Sequence, residues 1–309
     1  MKSLKVFAGT ASRELGNKVA RTLGTSLSKV NISKFSDGET RVNIEENVRG
    51  YDCFIIQSTC NPTDSNLMEL LILLDALKRS SPGRITAVIP YYGYARQDKQ
   101  DKARAPIAAR LVADLIATAG ADRIMAMDLH ASQIQGFFNI PVDNLYAKPV
   151  LLDAVRDRFD PDTVTIVSPD VGGASRARGY AKAMSAPLAI IDKRREQANQ
   201  CEVMNVVGDV EGRNCIIVDD MVDTAGTLVN GAKAILNRGA KEVVALMTHP
   251  VLSGKAFSNL AECSMQLVVT DTIPLSGSFR DIKIVSVAPI LAEAIRRTHN
   301  EESISSLFN

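Results

Sequence analysis

Two adjacent carboxylates followed by a small, hydroxyl-rich turn are the residues best suited to chemistry in this chain. Residues 216–227 read IIVDDMVDTAGT, and an apolar run stops there at Asp219 and Asp220. Carboxylate oxygens accept hydrogen bonds, so the pair suits sugar hydroxyls or a magnesium-bound group. The turn after them suits a phosphate, because small residues let backbone N–H groups approach an anion. Together they predict a phosphosugar site whose turn residues are Asp223, Thr224, Ala225, Gly226 and Thr227.

A buried strand and a helix must hold this stretch in place. Residues 215–218 have the length and β-branching of a strand covered on both faces, which is typical of parallel sheets. Asp219 and Asp220 are therefore expected at the C-terminal edge of that strand. Residues 228–238 show a helical pattern closed by a glycine, so a helix N-terminus adds its partial positive charge at the turn. Each residue alone is also typical of ordinary turns and N-caps, and only their order is specific.

The remaining sequence alternates strands and helices, which predicts an α/β fold with mostly parallel sheets. Strands are expected at residues 5–8, 52–57, 85–90, 123–128, 163–168, 187–191, 214–218, 243–247 and 267–270. Helices are expected at residues 12–23, 66–78, 106–118, 150–158, 174–184, 227–238 and 255–262. The 309 residues suit two similar doubly wound domains of about 150 residues each, 1–147 and 148–309. Whether the last helix packs on the first domain stays open.

The composition excludes several classes of protein. The 36 basic and 35 acidic residues give a net charge of +1, so no sequence-independent affinity for nucleic acid is expected. The 5 cysteines lack a CxxC pair and lie mostly in apolar runs, which favours reduced thiols in a cytosolic protein. The sequence shows neither the apolar region of a signal peptide nor a run of membrane-spanning length. We therefore expect a cytoplasmic protein with no membrane or nucleic-acid partner.

Two further polar residues follow predicted strands, at the edge where doubly wound sheets bind ligands. His130 follows the strand at 123–128, and Asp170 follows the strand at 163–168. A histidine at such an edge is more often structural than a ligand, and Asp170 could simply cap the helix at 174–184. Magnesium prefers oxygen ligands and usually keeps several waters, so direct coordination by His130 would be unusual.

A basic run and two mixed loops are the remaining candidates. Residues 192–195 read DKRR, and such a run is usually a solvated edge. Cations there would also stabilise the charge that spreads over phosphate oxygens during diphosphate transfer. Residues 35–39, FSDGE, would by themselves be an ordinary surface turn. Residues 91–102, YYGYARQDKQDK, would be an exposed loop whose tyrosines pack on the domain.

These motifs together resemble those of a known family. VDDMVDTAGTL resembles the phosphoribosyl-diphosphate binding motif of type I phosphoribosyltransferase-like proteins. With MDLHASQIQGFF, VSPDVGG, FSDGE, YYGYARQDKQDK and AIRRTHN, the chain resembles class I ribose-phosphate pyrophosphokinases along essentially its whole length. The resemblance implies transfer of the diphosphate of ATP to the anomeric hydroxyl of ribose 5-phosphate, supplying precursors of nucleotides, histidine and tryptophan. Asn47, Gln100 and Ala225 depart modestly from the family pattern, and Gln100 leaves the affinity for nucleotide or effector open.

The resemblance implies a role for each motif near the sugar. Asp219, Asp220 and the turn at 223–227 would bind ribose 5-phosphate, with Arg195 as a further ligand. Lys193 and Arg195 would form the core of a flexible catalytic loop, with Lys193 directed toward the transferred phosphate. The sequence offers no strong general base, so we expect catalysis by positioning and charge stabilisation.

The resemblance also implies a magnesium–nucleotide site. His130 and Asp170 would be associated with Mg²⁺, while Phe35 would stack on adenine and two carboxylates would accept from its exocyclic amine. The residues implied to bind ATP are Phe35, Asp37, Gly38, Glu39, Arg96 and Gln97.

Partners follow from the same resemblance. It implies a hexamer built from dimers, in which FSDGE of one chain faces Arg96 and Gln97 of its neighbour, with phosphate and ADP as effectors. Three alternatives stay in view: a phosphoribosyltransferase, a non-catalytic regulatory homologue, and a nucleic-acid-binding regulator. The first should lack the adenine loop, the second should have lost the basic loop, and the third should show a basic face.

Overall fold

The computed structural model describes residues 3–194, 203–275, 277 and 281–307, and the chain divides into two compact units. The first unit comprises Met1–Ala147, Thr272–Pro274 and Ser286–Asn309, and the second comprises Lys148–Asp271 and Leu275–Val285. The division therefore falls after residue 147, while the C-terminal segment groups with the first unit. The domain expected at 148–309 is shorter than that range for this reason.

A five-stranded parallel sheet forms the centre of the first unit. Its order is β1-β4-β5-β6-β7. Strands β2 and β3, which lie between β1 and β4 in the chain, form a separate antiparallel pair. The strands are β1 (Leu4–Ala8), β2 (Val30–Lys34), β3 (Thr40–Ile44), β4 (Asp52–Ile56), β5 (Arg84–Ile89), β6 (Arg123–Met127) and β7 (Val142–Leu145). The helices between them are α1 (Arg13–Thr22), α2 (Thr63–Arg79) and α3 (Ala108–Ala119).

Burial explains why the sequence predicted β4 and not β2 or β3. All five residues of β4 are buried, as expected of a central parallel strand, and α2 packs a fully buried stripe onto the core. That stripe is Leu70, Leu73, Leu74 and Leu77. Strands β2 and β3 were not expected, because their apolar residues only alternate with exposed polar ones and form no continuous run.

The second unit is built on a seven-stranded sheet in the order β10-β9-β8-β11-β12-β13-β14. All neighbours are parallel except the antiparallel pair of β9 and β10. The strands are β8 (Val164–Ser168), β9 (Leu188–Arg194), β10 (Val203–Val207), β11 (Asn214–Val222), β12 (Glu242–Pro250), β13 (Gln266–Thr270) and β14 (Ile282–Val285). The helices are α4 (Lys148–Asp153), α5 (Ala174–Met184), α6 (Gly226–Asn237) and α7 (Ala256–Leu260).

Strand β11 is longer than the sequence predicted, so Asp219 and Asp220 lie inside it. Pairing with β8 ends at Ile217, whereas pairing with β12 continues to Val222. The two neighbouring strands differ in length, which explains the longer β11: β12 keeps it extended to Val222, while β8 does not pair with the two acids. Their side chains therefore stand where the sheet has lost one neighbour, which is the edge expected to bind ligand.

Helix α8 (Ala288–His299) belongs to the first unit and is tied there by a buried carboxylate. Asp52 accepts from Arg84 Nε at 2.8 Å and lies 2.9 Å from His299 Nδ1. Arg84 also donates to the carbonyl of Thr298 at 2.9 Å. Two polar contacts, to His299 and to the carbonyl of Thr298, thus hold the C-terminal helix. Among the residues that the structure describes, none of the helices has the length and apolar character needed to span a membrane.

Candidate active site

The predicted phosphate turn lies between β11 and α6 and begins a helix as expected. Ala225 adopts the left-handed conformation, with φ 61° and ψ −3°, and is almost fully buried. Gly226 then starts α6, and Val229 N donates to Ala225 O at 2.9 Å. The reversal at Ala225 turns the chain so that the first N–H groups of the helix face the turn, which suits an anion.

A second loop, which the sequence did not indicate, holds this turn. Leu252 N donates to Val222 O at 3.0 Å, and Ser253 Oγ donates to the carboxylate of Asp223. Asn259 Nδ2 donates to Thr224 O at 2.8 Å. The conformation of the turn is therefore fixed by residues 252–259, the segment between β12 and the end of α7.

The paired acids are held by an arginine that the sequence did not single out. Arg176 Nη1 lies 2.7 Å from Asp219 Oδ1 and 3.2 Å from Asp220 Oδ1. Asp220 is 2% exposed, and its backbone N donates to Asp219 Oδ1 at 2.9 Å. Burial, and then the neighbouring Asp220 carboxylate, raise the pKa of Asp219 well above its ordinary value, while Arg176 lowers it. The arginine thus opposes the protonation of this site.

One feature of the sequence could have indicated Arg176, namely its position after a predicted strand. It lies near the start of α5, the helix that follows the Gly172–Gly173 turn after β8, and β8 is the neighbour of β11. Side chains from that first helical turn can reach the edge of the adjacent strand.

Asp170 forms the turn that precedes α5. Its Oδ1 accepts from Gly173 N at 2.8 Å, and its carbonyl accepts from Ser168 Oγ at 2.7 Å. The capping role considered from the sequence is therefore present. The residue is exposed, and its second carboxylate oxygen takes no hydrogen bond from the part of the chain that the structure describes. Capping and a role toward a metal are thus compatible.

The basic run is only partly described. The backbone of Lys193 lies in β9 and pairs with Met204 of β10, so the strand continues past the predicted end at 191. The antiparallel partner explains the extension, because Asp192 pairs with Asn205 and Arg194 with Val203. Arg195 lies outside the described residues.

In the first unit, FSDGE closes the β2–β3 hairpin. Phe35 N donates to Glu39 O at 2.9 Å, Gly38 N donates to Phe35 O at 3.0 Å, and Gly38 has a φ of 95°. Asp37 Oδ1 accepts from Glu39 N at 3.1 Å. The ring of Phe35 is 50% exposed, and the guanidinium of Arg41 lies 5.6 Å from its centroid. The hairpin therefore presents an aromatic face together with carboxylates.

Arg96, Gln97 and His130 lie at the C-terminal ends of the neighbouring strands β5 and β6, and all three are exposed. Gln97 N donates to Tyr94 O at 2.9 Å, which closes the turn that carries them. Gln133 Nε2, in the segment after His130, donates to Asp98 Oδ2 at 2.8 Å. The structure thus brings the 96–98 and 130–133 segments together within the first unit.

The described residues contain no group of three or more His, Cys, Asp or Glu side chains placed to hold a metal ion. A magnesium ion that enters with a nucleotide does not require such a group, because it takes one or two carboxylates, phosphate oxygens and waters. The exposed carboxylate of Asp170 fits that ligand set. His130 fits it less well, since its ring offers nitrogen.

Comparison with known proteins assigns this architecture to a family. A ribose-phosphate pyrophosphokinase from Chromobacterium violaceum is 56% identical over 313 residues, covering 99% of this chain and 95% of the relative. One from Wolinella succinogenes is 52% identical and covers 100% of both chains.

The chain belongs to the ribose-phosphate pyrophosphokinase family.

Two family models and a solved structure agree with this assignment. The N-terminal domain of ribose phosphate pyrophosphokinase matches residues 4–120, and the phosphoribosyl synthetase-associated domain matches residues 193–309. The crystal structure of phosphoribosylpyrophosphate synthetase from Mycobacterium smegmatis is similar with a TM-score of 0.92 and 43% identity, covering 97% of this chain and 100% of that one. Membership of the ribose-phosphate pyrophosphokinase family confirms the predicted α/β fold with two phosphoribosyltransferase-like domains.

Ala225 gives a test of the turn. A β-branched residue tolerates a positive φ poorly, so Ala225→Val should lower the free energy of unfolding by about 1–2 kcal/mol. Ala225→Gly, the matched control, should change it by less than about 1 kcal/mol, because relief of strain offsets the greater freedom of the unfolded chain. Urea denaturation measures both. A valine variant as stable as the wild type would contradict the left-handed conformation assigned to this residue.

Proposed function

We propose that the second unit binds ribose 5-phosphate and the first unit binds ATP in the reaction of this family. The chain is an enzyme that transfers the diphosphate group of ATP to the anomeric hydroxyl of ribose 5-phosphate, giving 5-phosphoribosyl 1-diphosphate and AMP. The observation that carries the assignment is the acid pair held by Arg176 beside a phosphate turn, in a chain more than half identical to full-length relatives of this name. A phosphoribosyltransferase or a non-catalytic homologue is not favoured.

The sugar site divides into two parts. The turn at 223–227 holds the 5-phosphate through backbone N–H groups and the hydroxyls of Thr224 and Thr227, aided by the N-terminus of α6. Asp219 and Asp220 accept hydrogen bonds from the 2- and 3-hydroxyls of the ribose. This division is supported by the anchoring of the turn through Ser253 and Asn259, which leaves its backbone donors in a fixed arrangement.

The nucleotide site uses two segments of the first unit. Phe35 stacks on adenine, while Asp37 and Glu39 accept from its exocyclic amine and Gly38 permits the turn between them. Arg96 and Gln97 contact the rest of the nucleotide. The exposure of Phe35, Arg96 and Gln97 supports these roles, since exposed side chains are accessible to a nucleotide.

Magnesium belongs to the nucleotide in this proposal. Asp170 and His130 would hold the ion, which would neutralise charge on the triphosphate. The open carboxylate oxygen of Asp170 supports its part, while His130 is assigned on family resemblance.

Catalysis depends on positioning and on cations. The anomeric oxygen attacks the β-phosphorus as the bond from that phosphorus to the oxygen it shares with the α-phosphate breaks, and AMP leaves. Lys193 and Arg195 stabilise the charge on the transferred phosphates, and Arg195 also contacts ribose 5-phosphate. The assignment is supported by the position of Lys193 near the C-terminal end of β9, a strand next to β8, whose own C-terminal end leads to Asp170.

A product assay tests the reaction. With ATP, magnesium and ribose 5-phosphate, the protein should form AMP and 5-phosphoribosyl 1-diphosphate in equal amounts, measured by ion-exchange chromatography. AMP formed without the sugar diphosphate, or no AMP at all, would reject the proposed reaction.

Lys193→Ala tests the catalytic role of Lys193 in the same assay. It should lower kcat by at least about a hundredfold while leaving KM for ATP nearly unchanged, since its interaction is made in the transition state. Arg194→Ala, a loss of the same charge at a position given no role, should keep most of the turnover.

The contact between Arg176 and Asp219 predicts how kcat/KM for ribose 5-phosphate depends on pH. Asp219 must be ionised to accept from sugar hydroxyls, so kcat/KM for ribose 5-phosphate should fall as the pH drops through its raised pKa. Arg176→Gln removes the cation that lowers this pKa, so the acid limb of the profile should move up by about one pH unit. Arg178→Gln, an exposed arginine on the same helix, is the matched control and should leave the limb in place. An acid limb unaffected by Arg176→Gln would contradict the pairing.

We also assign a cytoplasmic location and a hexameric assembly, with phosphate and ADP as effectors. Cys53 and Cys215 are free and buried, and burial raises the pKa of each thiol to about 12, which suits a reducing compartment. Self-association is supported by apolar side chains left exposed on α2, α3 and the residue before α3. They are Met68, Ile107, Leu111 and Leu115, with Leu111 59% and Met68 53% exposed.

Leu111→Glu tests the assembly. A carboxylate in a desolvated apolar contact is strongly unfavourable, so the variant should sediment as a smaller species than the wild type at the same concentration. Asn17→Glu adds the same charge at an exposed position of α1 and should leave the sedimentation coefficient unchanged. A Leu111→Glu variant that sediments like the wild type would remove this face from the assembly.

A further inference from the structure

Arg96 and Gln97 lie in the segment between β5 and α3, which forms no helix or strand. Backbone groups in such a segment need partners from elsewhere in the chain. Tyr91, Tyr92 and Gly93 are buried, so water does not readily supply those partners. The conformation of the nucleotide segment is therefore decided by what its buried first half is bonded to.

Thr59 provides several of those partners. It is fully buried in the loop after β4, and its backbone N donates to Tyr91 O at 2.9 Å. Its hydroxyl lies 3.2 Å from Tyr91 O, to which it donates, and accepts from Gly93 N at 2.7 Å. One side chain thus satisfies a carbonyl and an N–H group on alternate residues of the segment.

The contact between the two loops is close. A Cβ atom built on Gly93 would lie 2.4 Å from the carbonyl oxygen of Thr59 and 3.0 Å from Cγ2 of Thr63. No side chain fits at position 93, so the hydroxyl of Thr59 reaches the backbone directly. The register between the loops is set at this point.

The turn that presents the nucleotide residues begins at this contact. Tyr94, directly after Gly93, has a φ of 63°, and Gln97 N donates back to Tyr94 O at 2.9 Å. Gln97 O in turn accepts from Ala109 N at 3.2 Å, at the start of α3. Displacement of Gly93 would therefore be carried through Tyr94 to Arg96 and Gln97.

Two other side chains hold the segment in a different way. Tyr92 Oη donates to Ala109 O at 2.9 Å, and Tyr94 Oη donates to the carboxylate of Asp64. Both act through long tyrosine side chains. The hydroxyl of Thr59, by contrast, accepts a hydrogen bond from the backbone N of Gly93, three residues before Arg96.

We propose that Thr59 is a positioning residue for ATP, which it does not touch, and that it acts by fixing Gly93 and thereby the turn carrying Arg96 and Gln97. The inference rests on the proposed function, in which those two residues bind the nucleotide. It assigns a part in nucleotide affinity to a buried hydroxyl outside the binding loops.

Thr59→Val is the test, because valine keeps the shape and removes the hydroxyl. KM for ATP should rise about tenfold, since a buried N–H group loses its acceptor, while KM for ribose 5-phosphate should stay within about twofold. Thr59→Ser, which keeps the hydroxyl, should restore most of the affinity for ATP. Thr86→Val is the matched control: Thr86 is fully buried in β5, and its hydroxyl has no partner among the described residues, so both KM values should stay unchanged.

Arg96→Ala separates the two levels of the proposal. If it leaves KM for ATP unchanged, the proposed nucleotide site is wrong. If it raises KM for ATP but Thr59→Val does not, only the role of Thr59 is overturned. If Thr59→Val raises both KM values equally, Thr59 has only a structural role. The same conclusion holds if Thr59→Ser weakens the affinity for ATP as much as Thr59→Val does. Melting temperatures establish that each variant is folded, and Thr59→Ala replaces Thr59→Val in the same comparison if valine prevents folding.

Discussion

Successive carboxylates on a largely buried strand repel each other and resist ionisation, and the proposed sugar site depends on how this chain offsets that cost. Arg176 contacts both Asp219 and Asp220 and favours the charged form of Asp219 against burial and repulsion by Asp220. The acids can stand there because β8 stops pairing with β11 at Ile217 while β12 continues. The sheet thus opens a gap on one side, and a helix from that side supplies the cation.

The loops that carry the proposed substrate-binding residues are held by neighbouring loops in both units. In the second unit, Ser253 and Asn259 hold the phosphate turn, whose left-handed Ala225 would otherwise be an unfavourable conformation. In the first unit, Thr59 holds the segment that contains the left-handed Tyr94. Each unit therefore maintains a residue with positive φ in or next to its proposed binding segment through hydrogen bonds from a separate part of the chain.

The two units share a plan and differ in use. In each unit, proposed site residues follow the C-terminal ends of central parallel strands, as in other doubly wound sheets, although Phe35 of the first unit lies on the β2–β3 hairpin. The second unit keeps a turn and helix N-terminus suited to a phosphate, while the first presents an exposed aromatic hairpin and a basic turn. This difference fits the proposed division, with the sugar phosphate on the second unit and the nucleotide on the first.

The sequence by itself determined the α/β class, most of the strands that are buried on both faces, and the motif stretches of the proposed site. These are local properties: apolar runs, turn residues and helix starts are visible within a dozen residues. It could not determine that Asp219 and Asp220 lie within β11, because strand length there depends on β12. Nor could it reveal Arg176, Ser253 or Thr59, whose partners lie 43, 30 and 34 residues away in sequence. Such contacts exist only once the sheet has brought its edges together, so tertiary structure alone decided what holds the site.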